Sequence, residues 1–212
     1  MQCHICQKLA QPFQDEKHQA TYYFCHGCAY IFKDPQYYWS MKAQKERYDL
    51  HENSEESAGY RAYFQRFLDF LLPHVGGVKR ALDFGCGRSM LLSKMLQEQH
   101  IVCDAYDPLY HPEGLDEEKR YGLIVSTEVF EHLSQPKEVF ATLVTQLEEG
   151  GYLAIQTQFH PNEVEAFKTW YYPNDPTHIV FFTPKSFICL AQQYGMKYIT
   201  DNGRNMVLLQ KP

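Results

Sequence analysis

Apolar residues follow two different periods along the chain, and the change between them divides the sequence into regions. Between 55 and 72, apolar side chains such as Tyr60, Phe64 and Phe67 recur every three or four residues, the spacing of a helix with one buried face. Beyond Val78, short apolar runs alternate with longer segments of helical period, as in a parallel sheet whose strands are connected by helices. The pattern therefore predicts an α/β domain that starts near Val78.

The elements of this domain can be placed from the same pattern. Strands are expected at about 79–84, 101–106, 122–126, 152–157, 196–200 and 205–210. Helices are expected at about 36–47, 55–72, 88–99, 136–147 and 184–194. The last two strands are separated by Asp201-Asn202-Gly203-Arg204, which is typical of a hairpin turn. We therefore expect a doubly wound parallel sheet that finishes in an antiparallel hairpin.

One element of a regular βα alternation is missing from the pattern. Only 14 residues separate Asp107 from Gly122, and they are rich in Pro, Glu and Asp. A helix and a further strand do not fit in that length. We expect the third strand of the sheet to be reduced or missing.

Four of the seven cysteines lie in the first 28 residues, in two Cys-x-x-Cys pairs. Two such pairs at this separation predict a four-thiolate zinc ribbon in which Cys3, Cys6, Cys25 and Cys28 bind the metal. Two disulfides are the alternative, and a reducing compartment disfavours them. The predicted organisation is a zinc ribbon at 1–34, a helical connector or lid at 35–77, and the α/β domain at 78–212.

Composition limits the classes of function. The chain of 212 residues contains 44% hydrophobic residues and has a net charge of −6, which indicates a globular protein and disfavours an electrostatic nucleic-acid binder. A local basic patch would still suffice for RNA. No long uncharged apolar run and no signal-peptide pattern is present, so we expect a cytoplasmic protein without a membrane span. The sequence makes no prediction of the oligomeric state.

The stretch from Ala81 to Leu92 predicts a ligand site. A short apolar strand ends in Asp83, the glycines Gly85 and Gly87 follow at alternate positions, and a helix then begins. Glycines at such a corner permit a tight turn and close approach of a ligand to the backbone. A carboxylate there suits a ligand with a positive charge.

The pattern D-x-G-x-G of this corner resembles motif I of the class I S-adenosylmethionine (SAM) methyltransferases. The resemblance implies a Rossmann-like methyltransferase fold, with Asp83 facing the methionine amino end of SAM. The stretch E-R-Y-D-x-H-x-N, followed by G-Y-R, resembles the segment before motif I in a group of bacterial zinc-ribbon methyltransferases, where it can lie over the cofactor mouth. By that likeness Tyr48, His51, Asn53 and Tyr60 either close the site or are ordinary loop and helix residues.

A second acid lies where a ribose would be held. Asp107 ends the predicted second strand about 20 residues beyond the glycines, the spacing at which an acid accepts hydrogen bonds from both ribose hydroxyls. The alternative is a turn acid in front of Pro108.

The stretch from Tyr121 to Leu133 resembles the motif that follows strand four in the same family. The resemblance implies that Ser126, Thr127 and Glu128 lie beside the SAM sulfonium. His132 then faces the acceptor pocket, as a base or in a capping or positioning role.

A long aromatic segment, 158–177, follows the strand at 152–157 and is expected to build the acceptor pocket. After it, His178 begins a stretch that resembles H-x-x-F-F-[ST]-P of related methyltransferases. His178 is a second possible base, or it fixes the loop by hydrogen bonding.

The leading hypothesis is a SAM-dependent methyltransferase that acts on a small-molecule acceptor and carries a structural zinc ion. The alternatives are an RNA methyltransferase that reads its substrate with the ribbon, and a non-catalytic SAM-binding or scaffold protein.

Overall fold

The computed structural model describes residues 1–49, 58–114, 116 and 118–212. Its strands are β1 (Gln11–Asp15), β2 (Ala20–Cys25), β3 (Tyr30–Lys33), β4 (Arg80–Phe84), β5 (Val102–Tyr106), β6 (Tyr121–Thr127), β7 (Leu147–Gln156), β8 (Val180–Phe181), β9 (Lys197–Asp201) and β10 (Met206–Gln210). Its α-helices are α1 (Met41–Tyr48), α2 (Ala58–Leu71), α3 (Leu91–Glu98), α4 (Pro136–Gln146), α5 (Val164–Thr169) and α6 (Pro184–Gln193).

The central sheet has six strands in the order β5-β4-β6-β7-β10-β9. Strands β5, β4, β6 and β7 are parallel, and β10 is antiparallel to both of its neighbours. Between Tyr106 and Tyr121, the described residues form a short 3₁₀ turn at Pro112–Gly114 and no strand. The predicted α/β sheet, its missing third strand and its final hairpin are confirmed.

Helices cover both faces of this sheet. Strand residues that alternate in direction divide into two hydrophobic clusters, one with α2 and α3 and the other with α4 and α6. Leu123 of β6 belongs to the first cluster, and the adjacent Ile124 belongs to the second. Because β6 is apolar on both faces, it is buried along its whole length, as expected of a central parallel strand.

Two helices start later than the sequence pattern predicted. Met90 precedes α3 with a φ of 51°, a left-handed conformation that delays the first helical turn to Leu91. In the predicted helix 36–47, a 3₁₀ turn at Pro35–Tyr37 ends before Ser40. The Ser40 hydroxyl then accepts a hydrogen bond from the Ala43 amide and begins α1.

The N-terminal ribbon is joined to the α/β domain through a shared sheet. Strands β1, β2, β3 and β8 form one antiparallel sheet, in which Ile31 pairs with Phe181 and Phe32 pairs with Val180. A strand from the far end of the chain therefore completes the ribbon sheet. The division at 34 and 77 stays a prediction.

No helix among the described residues is both long and apolar enough to cross a bilayer.

Candidate functional site

A cavity of about 690 Å³ lies at the carboxyl ends of β4, β5 and β6, the edge at which doubly wound sheets bind ligands. Helices α1 and α2 contribute to its wall from the other side. Ten of the predicted site residues line it: Tyr48, Tyr60, Asp83, Gly85, Gly87, Asp107, Thr127, Glu128, His132 and His178. The elements that carry them are distant in sequence, so the fold brings the predicted motifs to one place.

The two corner positions, Gly85 and Gly87, are glycine for different structural reasons. Both have a positive φ, 83° at Gly85 and 61° at Gly87. A Cβ at Gly85 would lie 2.1 Å from a methyl group of Val129, so glycine is required for packing there. A Cβ at Gly87 would meet no atom within 4 Å. Gly87 therefore leaves the backbone open on the cavity side.

Asp83 is a buried acid with one oxygen available. Its Oδ2 accepts hydrogen bonds from the amide and the hydroxyl of Ser93, at 3.1 and 2.8 Å, while Oδ1 has no hydrogen-bond partner. Burial raises the pKa of Asp83 to about 7. An unpartnered carboxylate oxygen in the wall of a cavity fits a cationic amino group such as that of SAM.

Asp107 lies at the same corner and is held there by three backbone amides. Its Oδ2 accepts a hydrogen bond from the Gly87 amide at 3.1 Å, and its Oδ1 accepts from the amides of Leu109 and Tyr110 at 2.8 and 3.1 Å. The carboxylate is thus fixed beside the glycine turn, where it faces the cavity.

The end of β6 separates the three residues predicted beside the sulfonium. Thr127 and Glu128 line the cavity, whereas Ser126 is fully buried, with an unpartnered hydroxyl, and does not line it. Glu128 has a φ of 53°, an uncommon left-handed conformation at the end of the strand.

The buried carboxylate of Glu131 and the half-buried carboxylate of Glu128 share one hydroxyl. The Tyr172 hydroxyl lies 2.9 Å from Glu128 Oε2 and 2.5 Å from Glu131 Oε1, and the Tyr63 hydroxyl donates to Glu128 Oε1 at 2.5 Å. Burial, followed by the charge of Glu131, raises the pKa of Glu128 to about 8. Burial also raises the pKa of Glu131, which is fully buried. The tyrosine hydroxyls only partly offset the cost of placing two acids together.

The two predicted histidines are neighbours with ring centroids 4.8 Å apart. His132 Nδ1 lies 3.0 Å from the Thr177 carbonyl oxygen, and His178 Nδ1 lies 2.8 Å from the Tyr172 carbonyl oxygen. A carbonyl oxygen only accepts, so each Nδ1 carries the proton and each neutral ring has its lone pair at Nε2. Burial lowers the pKa of both rings, that of His178 to about 3, so both are neutral near pH 7.

Helix α1 lines part of the cavity and is bonded to other segments of its wall. The Tyr48 hydroxyl lies 3.0 Å from His132 Nδ1, and Arg47 pairs with Asp175 at 3.5 Å. At the end of α1, Asp49 accepts a hydrogen bond from Tyr110 at 2.8 Å. Of the predicted closing residues, Tyr48 and Tyr60 line the cavity. His51 and Asn53 lie outside the described residues.

The four ribbon cysteines form a single cluster. Their sulfur atoms lie within 4.8 Å of one another, with Cys3 and Cys28 3.5 Å apart and Cys6 and Cys25 3.4 Å apart. Four sulfurs around one zinc ion at about 2.3 Å would be separated by about 3.8 Å, so the donor set and its spacing fit tetrahedral zinc.

The ribbon is anchored to the α/β domain beside this cluster. The Ala29 carbonyl, directly after Cys28, accepts hydrogen bonds from His160 at 2.9 Å, Thr183 at 3.1 Å and Ser186 at 3.0 Å. Thr183 and Ser186 also form the capping box that begins α6. Thr183 and Ser186 therefore both cap helix α6 and hold the second cysteine knuckle in place.

Several cavity residues were missed by sequence reasoning, namely Tyr63, Arg88, Tyr110, Tyr172 and Asp175. Tyr63 was detectable, because it lies three residues after Tyr60 on the same face of α2. Tyr172 was recognised only as part of an aromatic loop. Its contact with two glutamates more than 40 residues away has no local signal.

Comparisons with solved structures place the fold. A SAM-dependent methyltransferase from Archaeoglobus fulgidus has a TM-score of 0.55 and 15% identity, with 80% of this chain and 99% of that chain covered. The magnesium protoporphyrin IX methyltransferase from Synechocystis PCC 6803, solved with bound S-adenosylhomocysteine (SAH), has a TM-score of 0.55 and 12% identity, with 84% and 97% covered. An O-methyltransferase family protein from Burkholderia thailandensis has a TM-score of 0.50 and 12% identity, with 79% and 62% covered. At these identities the likeness concerns the fold.

Comparisons of the sequence give the family. Curated protein sequences include no significant match to the chain. A family model described as a methyltransferase domain matches residues 56–201, well over half of the chain. The chain belongs to this methyltransferase family, and its central sheet has the fold of class I SAM-dependent methyltransferases.

Proposed function

We propose that the protein transfers a methyl group from SAM to a small molecule, which binds between the end of β6 and the loop that carries His178. The observation that supports this most is the continuity of the cavity. One wall carries the glycine corner with Asp83 and Asp107, and the other carries Glu128, His132 and His178.

The chemistry of the residues at one end of the cavity supports the proposal that SAM binds there. Asp83 Oδ1 would accept from the amino group of SAM, the open side of Gly87 would admit the ligand against the backbone, and Asp107 would bind the ribose hydroxyls. When bound, SAM supplies a methyl group on a positively charged sulfur.

At the acceptor end, the protein orients the acceptor and handles its proton. Tyr63, Tyr171 and Tyr172 provide an aromatic wall. Helix α1 also lines the cavity and would limit the access of water to the acceptor. An acceptor atom that must lose a proton would give it to Nε2 of His132 or His178, which are the proposed catalytic bases. Much of the remaining rate enhancement would come from positioning.

The charges of the cavity favour a small acceptor over RNA. Acidic residues outnumber basic ones among the described residues that line the cavity. The basic residues are Arg88 and the two neutral histidines. The acidic residues are Asp49, Asp83, Asp107, Glu128 and Asp175. A wall with so little positive charge does not attract a phosphate backbone. The RNA alternative would require the ribbon as a reader, yet one of its faces packs on Phe167, Tyr172 and Phe181 of the α/β domain.

We also propose that the ribbon binds one structural zinc ion. Its role would be to hold β3 in its pairing with β8 and so to support the loop with Tyr172 and His178. Lys33 of β3 donates to the Pro176 carbonyl at 3.2 Å, within that loop. The zinc would therefore act on catalysis through the shape of the acceptor pocket.

Isotope-labelled SAM distinguishes the candidate functions. The protein is incubated with SAM labelled in its methyl group, together with either a metabolite extract or total RNA. Label in the small-molecule fraction supports the proposal, and label confined to RNA contradicts it. No transfer in either incubation, with SAH binding retained, would favour the scaffold alternative.

A further inference from the structure

Beside the sulfonium end of the cavity, the described residues place three side chains with metal-binding atoms close together. One ligand atom each from Glu131, His132 and His178 lies within 4.8 Å of the others. Glu131 Oε1 is 3.9 Å from His132 Nε2. We propose that these residues, with Glu128 as neighbour, bind a divalent first-row transition-metal cation that is separate from the ribbon zinc.

The orientation of both imidazoles favours a cation between them. In a metal-bound histidine, one ring nitrogen binds the metal, and the N–H of the other usually donates a hydrogen bond to a carbonyl or carboxylate. Both rings do this, His132 to the Thr177 carbonyl and His178 to the Tyr172 carbonyl. With each Nδ1 donating to a carbonyl, each ring has the lone pair of Nε2 available for a cation, and Nε2 of His132 lies 3.9 Å from Glu131 Oε1.

Glu131 supplies an independent observation. It is fully buried, and its Oε2 has no hydrogen-bond partner, although Oε1 accepts from Tyr172. A buried carboxylate oxygen without a partner is costly. A cation bound by Glu131 would remove that cost.

The balance of buried charge points the same way. Glu128 and Glu131 both contact the Tyr172 hydroxyl, and no lysine or arginine forms an ion pair with either among the described residues. A divalent cation would compensate two adjacent carboxylates, which buried charges require.

The donor atoms indicate the class of metal. Two imidazole nitrogens and a carboxylate, with open positions, are typical of Mn²⁺, Fe²⁺ or Zn²⁺, whereas Mg²⁺ and Ca²⁺ prefer oxygen ligands throughout. The cysteine cluster, with four sulfurs, is a different site suited to zinc. The two sites therefore select different cations.

A cation here would change the acceptor chemistry, and this step rests on the proposed function. An acceptor hydroxyl bound at an open position would have a lowered pKa, so that its proton leaves to water. The acceptor would then be an oxygen, and the imidazoles would act through the cation instead of as bases.

Manganese binding to the zinc-loaded full chain tests the proposal without any acceptor. Mn²⁺ is a weak competitor for thiolates, so the ribbon keeps its zinc, and bound Mn²⁺ is measured by the loss of the free-ion electron paramagnetic resonance signal. We expect one Mn²⁺ per chain, and at least about tenfold weaker binding in Glu131→Gln and in His178→Asn. Matched controls are Glu165→Gln and His100→Asn, both exposed and outside the cavity, which should bind as the unchanged chain does.

Zinc content and SAH binding of each variant show whether the protein is folded. Absence of Mn²⁺ binding, or binding that the two variants leave unchanged, would overturn the proposal. Because SAH binding is measured separately, a failed metal site is distinguishable from a failed methyltransferase assignment.

Discussion

Phe32 of the ribbon and Val180 of the α/β domain are paired neighbours in one antiparallel sheet. The loop that carries Tyr172 and His178 leads directly into β8, so the ribbon and the acceptor wall share a backbone connection. Unfolding of the ribbon should therefore disturb the loop with Tyr172 and His178 more than it disturbs the glycine corner with Asp83, Gly85 and Gly87.

Replacing one of the proposed zinc ligands tests this connection. We expect Cys25→Ser to lose zinc, to lower the thermal midpoint of unfolding, and to reduce methyl transfer more than SAH affinity. The reason is that the glycine corner, where we propose that SAM binds, lies on other strands. The measurements are zinc content, thermal unfolding and calorimetric SAH titration. Cys189→Ser, outside the cysteine cluster, is the matched control and should keep its zinc. Equal losses of transfer and SAH affinity would contradict the connection.

The two corner glycines should respond differently to alanine. Both Gly85→Ala and Gly87→Ala carry a backbone cost of about 1 kcal/mol for a left-handed residue. Only Gly85→Ala also clashes with Val129, so we expect it to be the less stable protein. Gly87→Ala should fold but bind SAH at least about tenfold more weakly, because its methyl group would enter the space proposed for the cofactor.

Gly203→Ala is the control for the backbone cost. Gly203 has a φ of 69° in the β9–β10 hairpin and lies outside the cavity lining, and a Cβ added there would meet no atom within 4 Å. The SAH affinity of Gly203→Ala should equal that of the unchanged chain. If Gly87→Ala also retained full affinity, the glycine corner would not be the cofactor wall.

Asp83 predicts a pH dependence of cofactor binding. Because burial raises its pKa to about 7, Asp83 is neutral below that pH and negatively charged above it. The SAH amino group needs the charged form, so affinity should rise by up to about tenfold as the pH increases from about 6 to about 8. Calorimetric titration across this range should show the rise in the unchanged chain and a flat profile in Asp83→Asn.

The same shift has the opposite sign for the stability of the ligand-free protein. A folded-state pKa above the unfolded value means that the native state holds the proton more tightly. The contribution of Asp83 to stability is therefore complete below the unfolded pKa, near 3.8, and is lost as the pH rises through about 7. Asp83→Asn should remove this loss, and a steeper decline in the variant would contradict it.

His132 and His178 should be needed for transfer and not for SAH binding. We expect His132→Asn and His178→Asn to lower the transfer rate by about 100-fold or more, with SAH affinity within a factor of about two. His100→Asn is again the control. Variants that transfer at the original rate would show that neither ring handles the acceptor proton, whether directly or through a cation.

The sequence predicted the parts of the site whose signals are local. The spacing of Asp83, Gly85 and Gly87, and the shortage of residues after Asp107, lie within a few turns of chain, and the sheet formed as they indicated. The family and the fold followed from the same stretches.

The remaining features depend on contacts between distant residues. Nothing near Val180 marks a two-residue strand that pairs with β3, and nothing near Tyr172 marks its bond to Glu131. Such contacts are fixed by how the ribbon, the aromatic loop and the end of β6 pack together. The sequence periods describe each element separately and therefore do not reveal them.

Calorimetric titration of the zinc-loaded full chain with SAH tests the central claim most directly. The account predicts one SAH per chain, with a dissociation constant below tens of micromolar, and a clear loss of affinity in Asp107→Ala but not in the exposed control Asp116→Asn. No binding at concentrations on the order of tens of micromolar, or equal binding by both variants, would contradict the assignment of this cavity to SAM.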